Sequence, residues 1–195
     1  MTQPISLVAV SGSLHSPSKT TVLTRAILDE AVAQLDDDRI EPHLIELSEV
    51  GTEFAGALQR DALSPVALET LQRIEEATLL IVASPVYRAS FTGLFKHVFD
   101  FVGQYSLIDK PVLLAATGGS DRHALILEHQ FRPLFSFFQA VTLPLGVYAK
   151  DSDFAEYRIT SEALQERIAK TVSRSLPIVR AHLPERGLSD YVTTW

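Results

Sequence analysis

Two runs with almost no polar residue, Leu79-Leu80-Ile81-Val82-Ala83 and Pro111-Val112-Leu113-Leu114-Ala115-Ala116, restrict the fold more than any other feature of this chain. A strand that is apolar on both faces must be covered on both faces, which is the condition of a parallel sheet between two layers of helix. Similar runs recur at Ile5 to Val10, His43 to Leu47 and Leu143 to Ala149. Helical periodicity fills the intervals. Val22, Leu23, Ala26, Ile27, Ala31 and Leu35 mark a first helix, and segments 66–77, 91–102, 122–139 and 161–175 follow. The alternation predicts an α/β fold, a doubly wound five-stranded parallel sheet of order 2-1-3-4-5. A ligand is expected at the carboxyl ends of its strands, near the point where the order reverses. Residues 48–64 read as a loop, 1–182 as one domain and 183–195 as an exposed C-terminal tail.

Composition narrows the chemistry. The chain has 195 residues and no cysteine, which excludes disulfides, thiolate catalysis and cysteine-bound iron–sulfur clusters. Redox chemistry would have to come from a cofactor with its own electron capacity. A formal net charge of −7 without a basic block disfavours nucleic acid as a partner. It also means that an anionic ligand must be held by local donors rather than by a general positive field. No apolar run approaches a membrane span. Met1-Thr2-Gln3-Pro4 has neither a basic stretch nor an apolar core, so a cytoplasmic location is expected.

Three loops of distinctive composition follow the first, third and fourth strands. The first is Ser11-Gly12-Ser13-Leu14-His15-Ser16-Pro17-Ser18-Lys19-Thr20, which leads into a helix N-terminus. Helix-end N–H groups and the positive end of the helix dipole make such a loop an anion site, although an ordinary N-cap at Ser18 gives the same pattern. It lacks the glycine spacing of a dinucleotide loop and the Gly-Lys-Ser/Thr of a nucleotide triphosphatase. Its neutral hydroxyls suit a single terminal phosphate, which points to a flavin mononucleotide. The second loop, Ser84 to Lys96, offers Pro85, Val86 and Tyr87 as an apolar wall for a flat ring and Arg88 as a positive charge. Its plainer reading is a helix cap at Ser90. In the third loop, Thr117-Gly118-Gly119-Ser120, two residues without Cβ would let backbone approach a ring closely. By itself it could be a glycine turn.

Taken together these three segments resemble the NAD(P)H-dependent FMN reductase family, a flavodoxin-like family, over about residues 5–180. Within it the likeness is to the NADH-dependent reductases of alkanesulfonate and methanesulfonate monooxygenase systems. The resemblance implies that Ser11, Ser13, Ser18 and Thr20 hold the FMN phosphate. It implies that Pro85, Val86, Tyr87, Arg88 and Ser90 line the ring and phosphate side, and that Thr117, Gly118, Gly119 and Ser120 border the isoalloxazine. It also implies a hydride passed from NADH (or NADPH) to FMN, reduced FMN delivered to a partner monooxygenase, and a homodimer or homotetramer. No side-chain acid or base is required for such a step, because the work is positioning. Two other readings of the residues are a flavoprotein quinone, azo-dye or metal-ion reductase that retains FMN, and a flavodoxin-like electron carrier. The carrier fits less well, since Tyr87 is the one aromatic in the ring loops ahead of the Phe91 helix and Asp36-Asp37-Asp38 lies away from the expected site.

Pro133 is a separate signal. A proline inside a helix over 122–139 cannot donate to the carbonyl of His129, so a kink or π-bulge is expected at His129 to Arg132. Sulfonate-system reductases, by the same resemblance, carry a π-helix here in an oligomer interface near the flavin, with a tyrosine where this chain has His129; a histidine there departs from the alkanesulfonate pattern and matches the methanesulfonate type. His129 is thereby implicated in tuning flavin retention and release. His15, His43, His97, His123 and His182 show no metal-ligand spacing, and no metal is expected. Eight of the ten phenylalanines fall in segments 91–102 and 122–139. Phe101 and Phe137 lie off the main stripe, which suggests a second apolar face and subunit contact.

Overall fold

A computed structural model describes residues 3–183. The expected tail, Trp195 included, lies outside the described residues apart from Leu183. The main sheet runs β2 (Ile40–Glu46), β1 (Ile5–Ser11), β3 (Leu79–Pro85), β4 (Pro111–Gly118), β5 (Val141–Thr142), with β6 (Val147–Lys150) also on β4, and every pairing is parallel. The order 2-1-3-4-5 therefore holds. Helices α1 (Lys19–Leu35) and α6 (Glu162–Ala181) contribute to the core on one face. Helices α3 (Pro65–Glu76), α4 (Gly93–Phe101) and α5 (Arg132–Phe137) contribute to that on the other. A one-turn helix, α2 (Leu47–Val50), follows β2.

The two-sided burial read from the apolar runs divides by residue parity. Val8, Val10, Leu80, Val82, Val112 and Leu114 join one core, while Leu7, Ala9, Leu79, Ile81, Leu113 and Ala115 join the other. Successive side chains of a strand point to opposite faces, so a continuous apolar run feeds both layers. The first core is rich in aromatic contacts: Phe95 stacks with Phe91, Phe99 and Phe131 at centroid separations of 5.4, 4.8 and 5.6 Å.

Several expectations need correction. The final strand is not one run over 143–149 but two pieces. Val112 pairs with Thr142 and Ala115 with Val147, so β4 advances three residues where the partner advances five. Pro144 cannot donate to the ladder, and Gly146 is packed so closely that a Cβ would lie 2.7 Å from Leu127 and 2.9 Å from the Leu114 carbonyl oxygen. The long helix over 122–139 is instead a 3₁₀ turn (Asp121–His123), a π-helix (Leu127–Phe131) and α5. Pro133 sits in the first turn of α5, where a missing N–H is tolerated, and His129 lies at the centre of the wide π turn. The last helix runs six residues past Ser175, with Pro177 inside it. The 48–64 loop contains most of α2 and 3₁₀ turns at 51–53 and 60–62. Phe101 is buried against Phe54, whereas Phe137 is 63% exposed.

Candidate active site

Sheet register sets four chain segments side by side. Ser11 pairs with Ala83, Pro85 with Thr117, and Gly118 with Lys150, so the loops after β1, β3, β4 and β6 leave from one edge. They enclose a cleft of about 370 Å³.

The loop after β1 is pinned at its root. Gly12 N–H donates to the Ala83 carbonyl at 2.7 Å, and the Gly12 carbonyl accepts from Thr92 Oγ1 at 2.9 Å. A Cβ on Gly12 would lie 2.8 Å from the Phe95 ring and 3.0 Å from Ser84, so only glycine allows this approach. Ser18 caps α1, its Oγ accepting from the N–H groups of Thr20 and Thr21 at 3.1 and 3.3 Å. Those bonds use its lone pairs and leave its proton free to donate outward. Thr20 Oγ1 lies 2.6 Å from Thr117 Oγ1, a buried pair that joins the first and third loops. One hydroxyl donates to the other, and the second proton remains available.

The loop after β3 is tied to β4 by the Val86 N–H, which donates to the Thr117 carbonyl at 2.8 Å. Tyr87 and Ser90 exchange both backbone hydrogen bonds, at 2.8 and 3.1 Å. The central residues of this tight turn, Arg88 and Ala89, have φ of 50° and 68°. Positive φ at both positions is the type I′ pattern that glycine and asparagine favour, so this turn carries backbone strain. The cap of α4 is Thr92, not Ser90: Thr92 Oγ1 accepts from the Phe95 N–H. Ser90 Oγ donates instead to Gln130 Oε1 of the π-helix at 2.9 Å.

In the loop after β4, Gly119 faces open space, with Asp151 Oδ2 at 3.9 Å the nearest atom to a hypothetical Cβ. Tyr148 Oη donates to the Ser120 carbonyl at 2.5 Å and lies directly against Gly118. Burial, followed by the negative charges of Asp121, Asp151 and Asp153, pushes the Tyr148 phenol up from its ordinary range and keeps it a donor.

Of the residues singled out in the sequence, Ser13, Ser18, Thr20, Pro85, Val86, Tyr87, Thr117, Gly118 and Gly119 line this cleft. Ser11 does not: its Oγ faces Thr21 Oγ1 at 2.8 Å and the residue is fully buried. Arg88, Ser90 and Ser120 also stand outside it, Arg88 at the exposed tip of the turn. His123 and His129 are exposed and do not line it. The wall also includes His15, Pro17, Lys19, Asp151 and Tyr157. Tyr157, with φ of 58°, turns the two-residue connection between β7 (Phe154–Ala155) and β8 (Arg158–Ile159). Lys19 Nζ bonds Asp151 Oδ1 at 2.9 Å. Among the described residues there is no metal-binding cluster of His, Asp or Glu, and no helix is long and apolar enough to cross a membrane. The donor set, hydroxyls at a helix N-terminus beside an apolar wall and an uncovered glycine, suits a terminal phosphate joined to a flat ring.

Comparisons with known proteins agree with that chemistry. A sequence profile described as NADPH-dependent FMN reductase matches residues 5–155. The chain is 55% identical to the NADH-dependent FMN reductase SfnF of Pseudomonas fluorescens, covering 94% of this chain and 96% of that one. It is 51% identical to an FMN reductase (NADPH) of Pseudomonas aeruginosa over 91% and 94% of the two chains. Among solved structures, an oxidoreductase from Corynebacterium diphtheriae superposes with a TM-score of 0.81 at 31% identity, covering 92% and 99%.

Proposed function

Because this chain belongs to the NADPH-dependent FMN reductase family and is an NAD(P)H:FMN oxidoreductase, we propose that it binds FMN in the cleft described above, draws on NADH and releases the flavin to a monooxygenase. The observation that carries this reading is the convergence of the Ser18–Thr20 helix start, the Pro85–Tyr87 wall and the open Gly118–Gly119 backbone on one cleft. Bound FMN would supply the two-electron acceptor that a cysteine-free chain lacks.

Ser18 and Thr20 donate to the terminal phosphate, with Thr117 fixing Thr20, while Ser13, whose hydroxyl donates to the His15 carbonyl at 3.1 Å, shapes the loop around them. Pro85, Val86 and Tyr87 give the ring an apolar face that excludes water on that side, and Gly118 and Gly119 leave room for its edge. Arg88, Ser90 and Ser120 act at the margin of the cleft, and Ser11 by bracing Thr21. The protein's share of the reaction is orientation: His15 and Asp151 both belong to the wall, and Asp151 is taken up by Lys19 at 2.9 Å. The 55% identical relative named an NADH-dependent reductase supports NADH, against the 51% identical one named for NADPH. The resemblance of the three loops to the reductases of sulfonate monooxygenase systems supports delivery to a monooxygenase. In this reading His129, exposed on the π-helix, would modulate flavin exchange from a subunit contact in a dimer or tetramer.

The test is anaerobic NADH oxidation with FMN in large molar excess and no other acceptor. Reduction of many FMN equivalents per subunit supports an exchanging flavin. A halt after one equivalent per site makes FMN a retained group and the acceptor a quinone, an azo compound, a metal ion or another protein.

A further inference from the structure

Among the described residues of the cleft wall, Lys19 is the only lysine or arginine and Asp151 the only carboxylate, and they are paired with each other. Lys19 occupies the first position of α1, immediately after the capping Ser18, and its ammonium meets Asp151 at 2.9 Å across 132 residues of sequence. A cation at a helix N-terminus is on the disfavoured side of the helix dipole, and Asp151 offsets that repulsion. The nearest lysine in sequence to Asp151, Lys150, is already bonded to Asp121 at 2.8 Å. The cleft therefore meets an incoming phosphate with neutral hydroxyls and a cation that a carboxylate already holds.

We propose that Asp151 competes with the flavin phosphate for Lys19 and so keeps FMN affinity low enough for exchange. The proposal rests on the reading of this cleft as the FMN site. A phosphate approaching Ser18 and Thr20 must share Lys19 with Asp151 and sit near a like charge. Both effects weaken phosphate binding, and both leave the ring contacts alone. With side chains 35% and 66% exposed, the pair is partly screened and its influence is graded rather than absolute.

The test compares FMN with riboflavin, which has the same ring and no phosphate. Dissociation constants of both are measured by flavin fluorescence for the wild type, Asp151→Asn, Lys19→Met and the double variant. Asp151→Asn is expected to lower the FMN-to-riboflavin ratio of dissociation constants about two- to tenfold, with slower FMN release. The shift should shrink as salt is raised and should vanish when Lys19→Met is added. An unchanged ratio, or a shift of the same size in the double variant, overturns the proposal while leaving the flavin site intact. Failure of the wild type to bind either flavin overturns the flavin reading of the cleft, and this proposal with it.

Discussion

Ser90 Oγ donates to Gln130 Oε1 at 2.9 Å, so a π-helix residue holds the end of the turn that carries Tyr87 into the cleft. A second contact runs in parallel: Phe91 meets Phe131 edge-on at 5.5 Å. The π-helix is thereby joined to the cleft wall through two adjacent residue pairs, although His129 itself does not reach the wall. Gln130→Ala should cost about 1 kcal/mol of stability, the net worth of one side-chain hydrogen bond. Its effect on the KM for FMN should exceed that of an exposed neighbour such as Glu128→Ala. Denaturant unfolding and steady-state kinetics on the two variants check both parts.

The Arg88–Ala89 turn is strained by design of its backbone, with φ of 50° and 68° at residues that have a Cβ. Replacing the pair by Asn-Gly should stabilise the protein by about 0.5–2 kcal/mol and raise Tm by a few degrees. A fall in Tm would show that the Arg88 side chain contributes more than the backbone strain costs.

The two glycines of the third loop should respond differently. A Cβ at position 118 runs into the Tyr148 hydroxyl, which is held by the Ser120 carbonyl, so Gly118→Ala should destabilise by about 1–3 kcal/mol. Adding Tyr148→Phe removes the clashing oxygen and should recover part of that loss, a non-additivity that a double-mutant cycle measures. At position 119 a side chain enters open space, so Gly119→Leu should leave Tm nearly unchanged while weakening FMN binding by tenfold or more.

Glu75 ties the 3₁₀ turn at 60–62 to the end of α4. It accepts from Arg60 at 2.6 and 2.9 Å and from the Gly103 N–H at 2.7 Å. Burial pushes its carboxyl up, but the Arg60 and Gly103 hydrogen bonds and the Arg60 charge act the other way and hold it below the usual glutamate range. A carboxylate with a depressed folded-state pKa contributes stability above its unfolded value, and that contribution is lost as pH falls through the folded one. Stability should therefore drop as pH goes below about 4, and Glu75→Gln should show a shallower acid limb. Urea titrations at a series of pH values provide the comparison.

The apolar runs made the sheet legible because burial on both faces leaves no room for a polar alternative, as at Leu79–Ala83 and Val112–Ala116. The division of the last strand was not legible, because it depends on Gly146 meeting Leu127 and the Leu114 carbonyl, contacts remote in sequence. Pro133 announced a break in helical geometry, and the π turn lies just before it. Within the candidate site, residue type alone could not separate Ser11 from Ser13, yet strand direction turns Ser11 inward to Thr21. Asp151 and Tyr157 lie outside the three loops of distinctive composition and carry no motif of their own, so the sequence does not mark them. The loop after the last strand opens at the same edge, and the pairing of Gly118 with Lys150 brings it alongside.

The hydroxyl pair of Thr20 and Thr117 bridges 97 residues of chain, and the cleft wall runs from Ser13 to Tyr157. No contiguous fragment of modest length contains this wall, so loss of any one of its four strand ends dismantles the pocket. Ligand affinity in such a site reports on the integrity of the entire sheet. A flavin that binds only the completed architecture would in turn shift the folding equilibrium of all of it at once, and cellular flavin supply would help set how long the polypeptide survives.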